Sequence, residues 1–252
     1  MKDGPGWNKR QSLEIKTIFS FCEGYKRFLD ASKTERETIQ SIEDFLRVAG
    51  FELDFGSKRV FMTNKGKSAI ALVKGSAPLA DGLNIIVAHV DAPRLDLKQR
   101  PIFEDVDLVL LRTHYYGGIK KYQWVTMPLA IHGVIIKSDG RRIELAIGEA
   151  EDDPVFVIDD LLPHLSRKIQ DEKRLSEAIE AEKLTILFGS IPLVGIEKEA
   201  IKCGILKILN DRYGVVEEDF ISAELEVVVP LLPSVQTNSP FFDVKVSFKL
   251  TS

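Results

Sequence analysis

Residues 83–97 read LNIIVAHVDAPRLDL, and this stretch decides the fold expected for the chain. Its first part is a continuous apolar run that begins after Asp81-Gly82 and ends at Pro93. A short run that is apolar on both faces is typical of a strand buried inside a parallel or mixed sheet. We therefore predict that this run is a central strand of an α/β fold.

Two polar residues, His89 and Asp91, stand at the end of this run. Side chains alternate along a strand, so residues two apart point to the same side. Open α/β sheets place their ligand sites at the carboxyl ends of the strands. An imidazole ligates zinc through one ring nitrogen, while a nearby carboxylate accepts the other N–H. The pair suits metal ligation, although a histidine that caps the strand and bonds to Asp91 as local structure has the same spacing.

Length and charge narrow the classes of protein to consider. The 252 residues suffice for one large domain or two smaller ones, with a core of useful size. The formal net charge of -4 gives no basis for nucleic acid as a partner, because binding a phosphate backbone requires a basic face. No run approaches the roughly twenty apolar residues that span a bilayer, and residues 1–10 carry no apolar signal region. We expect a cytoplasmic protein without a membrane partner.

Cysteine usage gives no support for a disulfide framework. Only Cys22 and Cys203 are present, and neither has a C-x-x-C partner. This spacing also argues against a thiolate zinc site. We expect both residues to be small buried hydrophobes.

Hydrophobic periodicity and turn residues divide the rest of the chain into elements. The elements predicted before the central run are helices at 13–29 and 34–49 and a hairpin of strands at 60–63 and 68–73. The elements predicted after it are strands at 107–111, 129–137, 142–147, 155–158 and 184–188, a loop or surface helix at 167–182, and a helix at 197–213. We infer a β-rich insertion that begins near Leu95.

Several stretches together resemble the aspartyl aminopeptidase and aminopeptidase I family of zinc exopeptidases. Residues 89–95, HVDAPRL, resemble the first metal-ligand motif of that family. The other stretches that resemble the family are 28–37, 116–118 followed by Trp124, 160–165 and 217–228. The similarity extends from about Ile15 to Val228.

The resemblance implies an α/β fold in which a truncated zinc-exopeptidase-like domain carries a β-rich lid or dimerisation domain. Residues 1–94 would form the amino-terminal part of the metallopeptidase-like domain, and residues 95–221 the lid. Residues 222–252 would form a return strand and a divergent carboxyl-terminal tail. In the family the lid supports closed homo-oligomers, so the resemblance also implies a homo-oligomer formed through the lid domain, and symmetric assembly is the usual form of self-association.

The implied function is zinc-dependent release of amino-terminal residues from peptides, with two zinc ions in each site. His89 would be a metal ligand, and Asp91 the catalytic-site carboxylate that orients it. The family's other ligands follow the insertion, whereas residues 229–252 contain no histidine and one acid, Asp243. Residues 242–250 alternate as a terminal strand instead. We expect that this chain alone lacks most of the metal ligands and is inactive by itself.

Three explanations for this departure stay open: a disrupted aminopeptidase gene, an evolved short homologue, or a catalytic half in another chain. The alternative function is that of a non-catalytic assembly or regulatory homologue that retains the family's oligomerisation domain. His114, His132 and His164 have no second ligand at a suitable spacing and are predicted to be structural. The acidic pairs at 152–153, 159–160 and 217–218 are predicted to serve turns and helix starts.

Overall fold

The computed structural model describes residues 12–150 and 152–230, so the predicted terminal strand at 242–250 lies outside the described residues. Within them the chain is a mixed α/β protein whose contacts divide it into two compact units. Unit 1 extends to Asp91, and unit 2 begins at Ala92. None of the helices in the described ranges is long and apolar enough to cross a membrane.

Unit 1 contains two helices and one antiparallel hairpin. Its elements are α1 (Ser12–Asp30), α2 (Glu35–Val48), β1 (Arg59–Asn64) and β2 (Ser68–Val73). Thr34 caps α2 reciprocally with Glu37: each side chain accepts a hydrogen bond from the other residue's backbone N–H. Gly50 follows the helix with φ of +77°, a conformation that favours glycine. The predictions for α2 and the hairpin are confirmed.

The prediction that the apolar run after Gly82 is a central strand is wrong for the described structure. Residues 83–93 form no regular secondary structure. The side chains of Ile85, Ile86 and Val87 are 73%, 97% and 87% exposed. Among the described residues, none forms a backbone hydrogen bond with the backbone of residues 83–88. A strand requires a neighbour for its N–H and C=O groups, and the described part of unit 1 supplies none.

Unit 1 also has a small core. Its buried apolar side chains, among the described residues, are Ile39, Val60 and Phe61. Cys22 on α1 is exposed and Cys203 in unit 2 is half-buried, so the prediction that both are buried is wrong. The apolar face of α1 has too little to pack against within the described residues for Cys22 to be covered.

Unit 2 is built on a six-stranded antiparallel sheet in the order β6-β5-β8-β3-β4-β7. The strands are β3 (Arg94–Asp105), β4 (Leu108–Tyr116), β5 (Ala130–Ile136), β6 (Arg142–Ile147), β7 (Ile186–Gly189) and β8 (Ala223–Val228). The helices are α3 (Pro163–Ile169), α4 (Leu175–Ala178) and α5 (Ala200–Tyr213). One continuous hydrophobic core lies within this unit.

Strand β8 occupies the centre of this sheet. Val227 lies opposite Leu95 of β3 on one side and Ile131 of β5 on the other. All three side chains are buried. The sequence predicts a return strand within residues 222–252, and β8 is a strand in this range that lies between two hairpins of unit 2. The domain boundaries drawn from the family resemblance stay a prediction.

Two further elements differ from expectation. Strand β3 was not predicted, because Pro101 and the polar residues 98–100 interrupt the apolar alternation. The register of β3 against β4 shifts between Leu97 and Ile102, and this irregularity accommodates the proline. The predicted strand at 155–158 makes only isolated bridges, from Phe156 to Leu129 and from Val157 to Leu187.

We predict that Gly133→Ala severely destabilises unit 2. Gly133 of β5 has φ of +144°, and a Cβ there would lie 2.0 Å from the carbonyl oxygen of Glu224 in β8. The two strands would have to separate, so we expect a loss of about 3 kcal/mol or more in the free energy of unfolding. Urea unfolding followed by Trp124 fluorescence measures this loss. In the matched control, Gly118→Ala, the added methyl meets nothing within 4 Å. Equal stability of the two variants would contradict the prediction.

Candidate functional site

The structure brings the two predicted site residues of unit 1 into contact. The Nδ1 atom of His89 lies 3.1 Å from Oδ1 of Asp91 and 2.9 Å from the Asp91 carbonyl oxygen. With its proton on Nδ1, the imidazole donates to both oxygens and its Nε2 lone pair remains available. The His89 side chain is 83% exposed, so the Nε2 lone pair is accessible to a metal ion or a hydrogen-bond donor. The local-structure interpretation of the pair predicts the same contact.

The described residues do not by themselves fit a zinc site. A catalytic zinc normally has three protein ligands and one open position. In residues 12–150 and 152–230, no three His, Cys, Asp or Glu side chains converge closely enough to hold a metal ion. His89 and Asp91 are therefore at most one part of a metal centre.

The other histidines have the structural environments expected of them. His132 is buried on β5, with Nε2 3.2 Å from Oε1 of Glu149. The ring of His114 stacks against Tyr115 with centroids 5.2 Å apart. His164 is exposed in the first turn of α3.

The acidic pairs serve turns and a helix start, as predicted. Burial acts to raise the pKa of Asp153, but the N–H groups of Gly148, Ala150 and Glu149 donate to its carboxylate and hold that pKa below its ordinary value. The carboxylate of Asp160 accepts from the N–H of Leu161. Glu217 and Glu218 open the 3₁₀ helix Glu217–Ser222.

The sequence did not reveal a buried charge cluster on β3 and β8, formed by Arg94, Asp96 and Glu226. The Nε atom of Arg94 lies 2.7 Å from Oδ1 of Asp96 and 3.0 Å from Oε2 of Glu226. Arg94 and Glu226 are both buried, and Asp96 lies directly opposite Glu226 across the strands. The guanidinium lies over the ring of Tyr116, 4.3 Å from its centroid. The side chain of Arg94 on β3 therefore contacts both neighbouring strands, β8 through Glu226 and β4 through Tyr116.

A signal for the charge cluster was present in the sequence. Arg94 and Asp96 alternate with Leu95 and Leu97, which predicts charges on one face of a strand and apolar side chains on the other. Pro101 and the polar residues 98–100 obscure this alternation in the sequence of β3. Glu226 gave a similar signal between Leu225 and Val227.

Comparison with known sequences matches residues 28–235 to the family model described as aminopeptidase I zinc metalloprotease, M18. A protein of Clostridium acetobutylicum named probable M18 family aminopeptidase 1 is 49% identical over 235 residues. The match covers 88% of this chain and 50% of that protein. The corresponding Thermotoga maritima protein is 47% identical over 233 residues. The chain spans about half the length of the curated relatives it matches.

Solved structures agree with this match. The M18 aminopeptidase of Thermotoga maritima superposes with a TM-score of 0.83 at 45% identity, over 91% of this chain and 51% of that one. Aminopeptidase I of Clostridium acetobutylicum superposes with a TM-score of 0.80 at 40% identity, and the match covers 91% of this chain and 53% of that one. A structure of the yeast mApe1 dodecamer superposes with a TM-score of 0.57 at 18% identity, and the match covers 82% of this chain and 47% of that one. At this identity the similarity shows the fold alone.

We predict that Arg94→Met lowers the free energy of unfolding of unit 2 by about 3–5 kcal/mol, because it removes the Arg94 cation from beside the buried Glu226 carboxylate. Urea unfolding at neutral pH measures the loss, and the double variant Arg94→Met/Glu226→Gln should recover part of it. Arg141→Met is the control, since its partner Asp139 is exposed and water and salt screen such a pair. A loss at Arg94 no larger than at Arg141 would refute a structural role for the cluster.

Proposed function

Since the chain belongs to the M18 family of aminopeptidase I zinc metalloproteases, we propose that it supplies the amino-terminal portion of a zinc-dependent aminopeptidase. The reaction is hydrolysis of the amino-terminal peptide bond of peptides. The family description supports zinc as the metal. The whole activity belongs to this proposal, because the match spans about half of each relative.

The observation that carries the proposal is the contact between His89 and Asp91. His89 is a metal ligand, and Asp91 fixes its tautomer and orientation by accepting from Nδ1. When zinc is bound, it supplies Lewis acidity and an activated water. Of this chain's residues, His89 would hold that ion through one imidazole nitrogen. The remaining ligands come from the part of the family fold outside the match, so the chain alone is inactive.

We also propose that residues 95–221 form the lid and dimerisation domain of a homo-oligomer. The continuous core and the six-stranded sheet of unit 2, to which β8 beyond residue 221 also contributes, support a structural role of this kind. The same observation favours the second candidate function, a non-catalytic assembly or regulatory homologue. In that case unit 2 would retain its interface, and His89 would have no catalytic use.

A single-chain chimera tests the catalytic proposal. Residues 12–228 of this chain replace the matched half of the Clostridium acetobutylicum relative, and the chimera is assayed on aminoacyl anilides with zinc, cobalt or manganese. We expect turnover that a chelator abolishes. His89→Ala should lower kcat/KM by about 100-fold or more and reduce the zinc content, because ligand loss removes the metal.

Two further variants complete the design. Asp91→Asn should lower metal affinity or activity by roughly 10–100-fold, as expected of a group that orients a ligand. His164→Ala, a change at an exposed histidine, should stay within about twofold of the chimera. A folded chimera whose zinc content and turnover do not respond to His89→Ala would exclude His89 as a ligand. A folded chimera without turnover under any metal would favour the assembly role.

A further inference from the structure

We propose that strand β6 is a self-pairing edge, through which two copies of this chain join their unit 2 sheets as antiparallel strands about a two-fold axis. Arg142 of each copy lies opposite Glu144 of the other copy, and the two Ile143 residues lie opposite each other. The inference rests on the proposed homo-oligomer for the expectation of self-association. It goes further in naming the strand, the register and the ion pairs that join the copies.

The outer edge of β6 is the first observation. The strand order of unit 2 places β6 at one end of the six-stranded sheet, where it pairs with β5 on its inner side. Among the described residues, none forms a backbone hydrogen bond with the outer edge of residues 142–147. A strand edge of this kind presents N–H and C=O groups with which another strand can pair.

Strand β6 also lacks the features that usually keep an edge strand from pairing. Arg142–Ile147 contains no proline or glycine, and its six residues pair with β5 without a register shift. Its two charges, Arg142 and Glu144, have opposite signs, so they do not simply repel a second copy. The strand at the other edge differs: β7 has four residues, and the N–H of its Leu187 already donates to the carbonyl of Val157. We therefore assign the contact to β6.

The charges on β6 select both the partner and the register. A two-fold pair of antiparallel strands places one residue opposite itself, and directly opposite residues share a face of the sheet. A pair centred on Glu144 would oppose two carboxylates. A pair centred on Leu145 would oppose Glu144 to Ala146 and form no ion pair. A pair centred on Ile143 opposes Arg142 to Glu144 twice, so β6 is complementary to a second copy of itself.

The side chains of β6 are available for this contact. Nη2 of Arg142 lies 2.7 Å from Oε1 of Glu144 within the strand, and the two side chains are 48% and 73% exposed. Opposite residues of paired strands have Cβ atoms about 5 Å apart, so each charge can reach its counterpart in the other copy. Ile143 packs against the core but is only half-buried, whereas Leu145 and Ile147 are buried. A second Ile143 beside it covers apolar surface at the axis.

One strand pair buries less area than a standard interface, so we expect association that dilution reverses. Sequence specificity comes from the order of the charges. An unrelated extended peptide would satisfy the backbone of the edge equally well, but it would need an acid and a base at the two positions opposite Arg142 and Glu144. A second copy supplies both in the required antiparallel order.

Charge reversal in the full 252-residue chain tests the pairing, with sedimentation velocity as the measurement. Arg142→Glu gives β6 two acids and Glu144→Arg gives it two bases, so each variant opposes like charges when it pairs with itself. We expect each variant to self-associate about tenfold or more weakly than the parent. An equimolar mixture of the two variants opposes unlike charges again, and its association should return to within about threefold of the parent.

Lys207→Glu is the matched control. Like Glu144→Arg, it reverses one charge of an exposed ion pair in unit 2, in this case the pair with Asp211 on α5. Its association should stay within about twofold of the parent, and circular dichroism of every variant should match the parent because the altered side chains are exposed. In the associated parent, the amides of residues 142–146 that do not bond to β5 should exchange about tenfold or more slowly than after dilution.

The contrary results are distinct. Self-association that neither charge reversal weakens would overturn the pairing of β6 and leave the proposed homo-oligomer in place. Weakening by both variants that their mixture does not relieve would overturn the register and with it the proposal. Slow exchange of all these amides in the diluted chain would do the same, because another part of the same chain would then cover the edge. A chain that stays monomeric at every concentration would count against the homo-oligomer as well.

Discussion

The pairing of β8 on both of its edges is the constraint on which unit 2 depends. Without β8, the β5–β6 hairpin and the β3–β4 hairpin would each have an unpaired inner edge. Two residues show what this pairing requires. Gly133 leaves room for the backbone of β8, and Arg94 offsets the charge that Glu226 places in the buried sheet. The sheet is therefore specified by long-range contacts between the beginning and the end of the unit.

The same requirement for paired strands explains why the described part of unit 1 has less sheet and a smaller core than unit 2. Its β1–β2 hairpin and the cap of α2 are local, and they form because each partner lies within a few residues. The apolar run at residues 83–88 has no such neighbour among the described residues, and local propensity alone does not offset the conformational entropy of ordering a strand. A sequence pattern can thus be typical of a buried strand although the described residues around it form no sheet with it.

These two cases mark how far the sequence predicts this protein. The capped helix α2, the hairpin, strands β5 and β6 and the end of α5 at Gly214 follow from turn and capping residues. Strand β3 does not, because its bulge and Pro101 break the period that identifies strands. In the site, the spacing of His89 and Asp91 predicted their contact. The charge cluster needed the register of β8 against β3, which no local pattern contains.

The position of His89 connects strand pairing to metal binding. Because His89 directly follows the apolar run at residues 83–88, ordering that run in a sheet would also fix the direction of its imidazole. In the free chain the contact with Asp91 sets the tautomer but not the position relative to any other ligand. A zinc ion requires its ligands to be held together, so on the proposed function the ordering of this run and metal affinity are thermodynamically coupled.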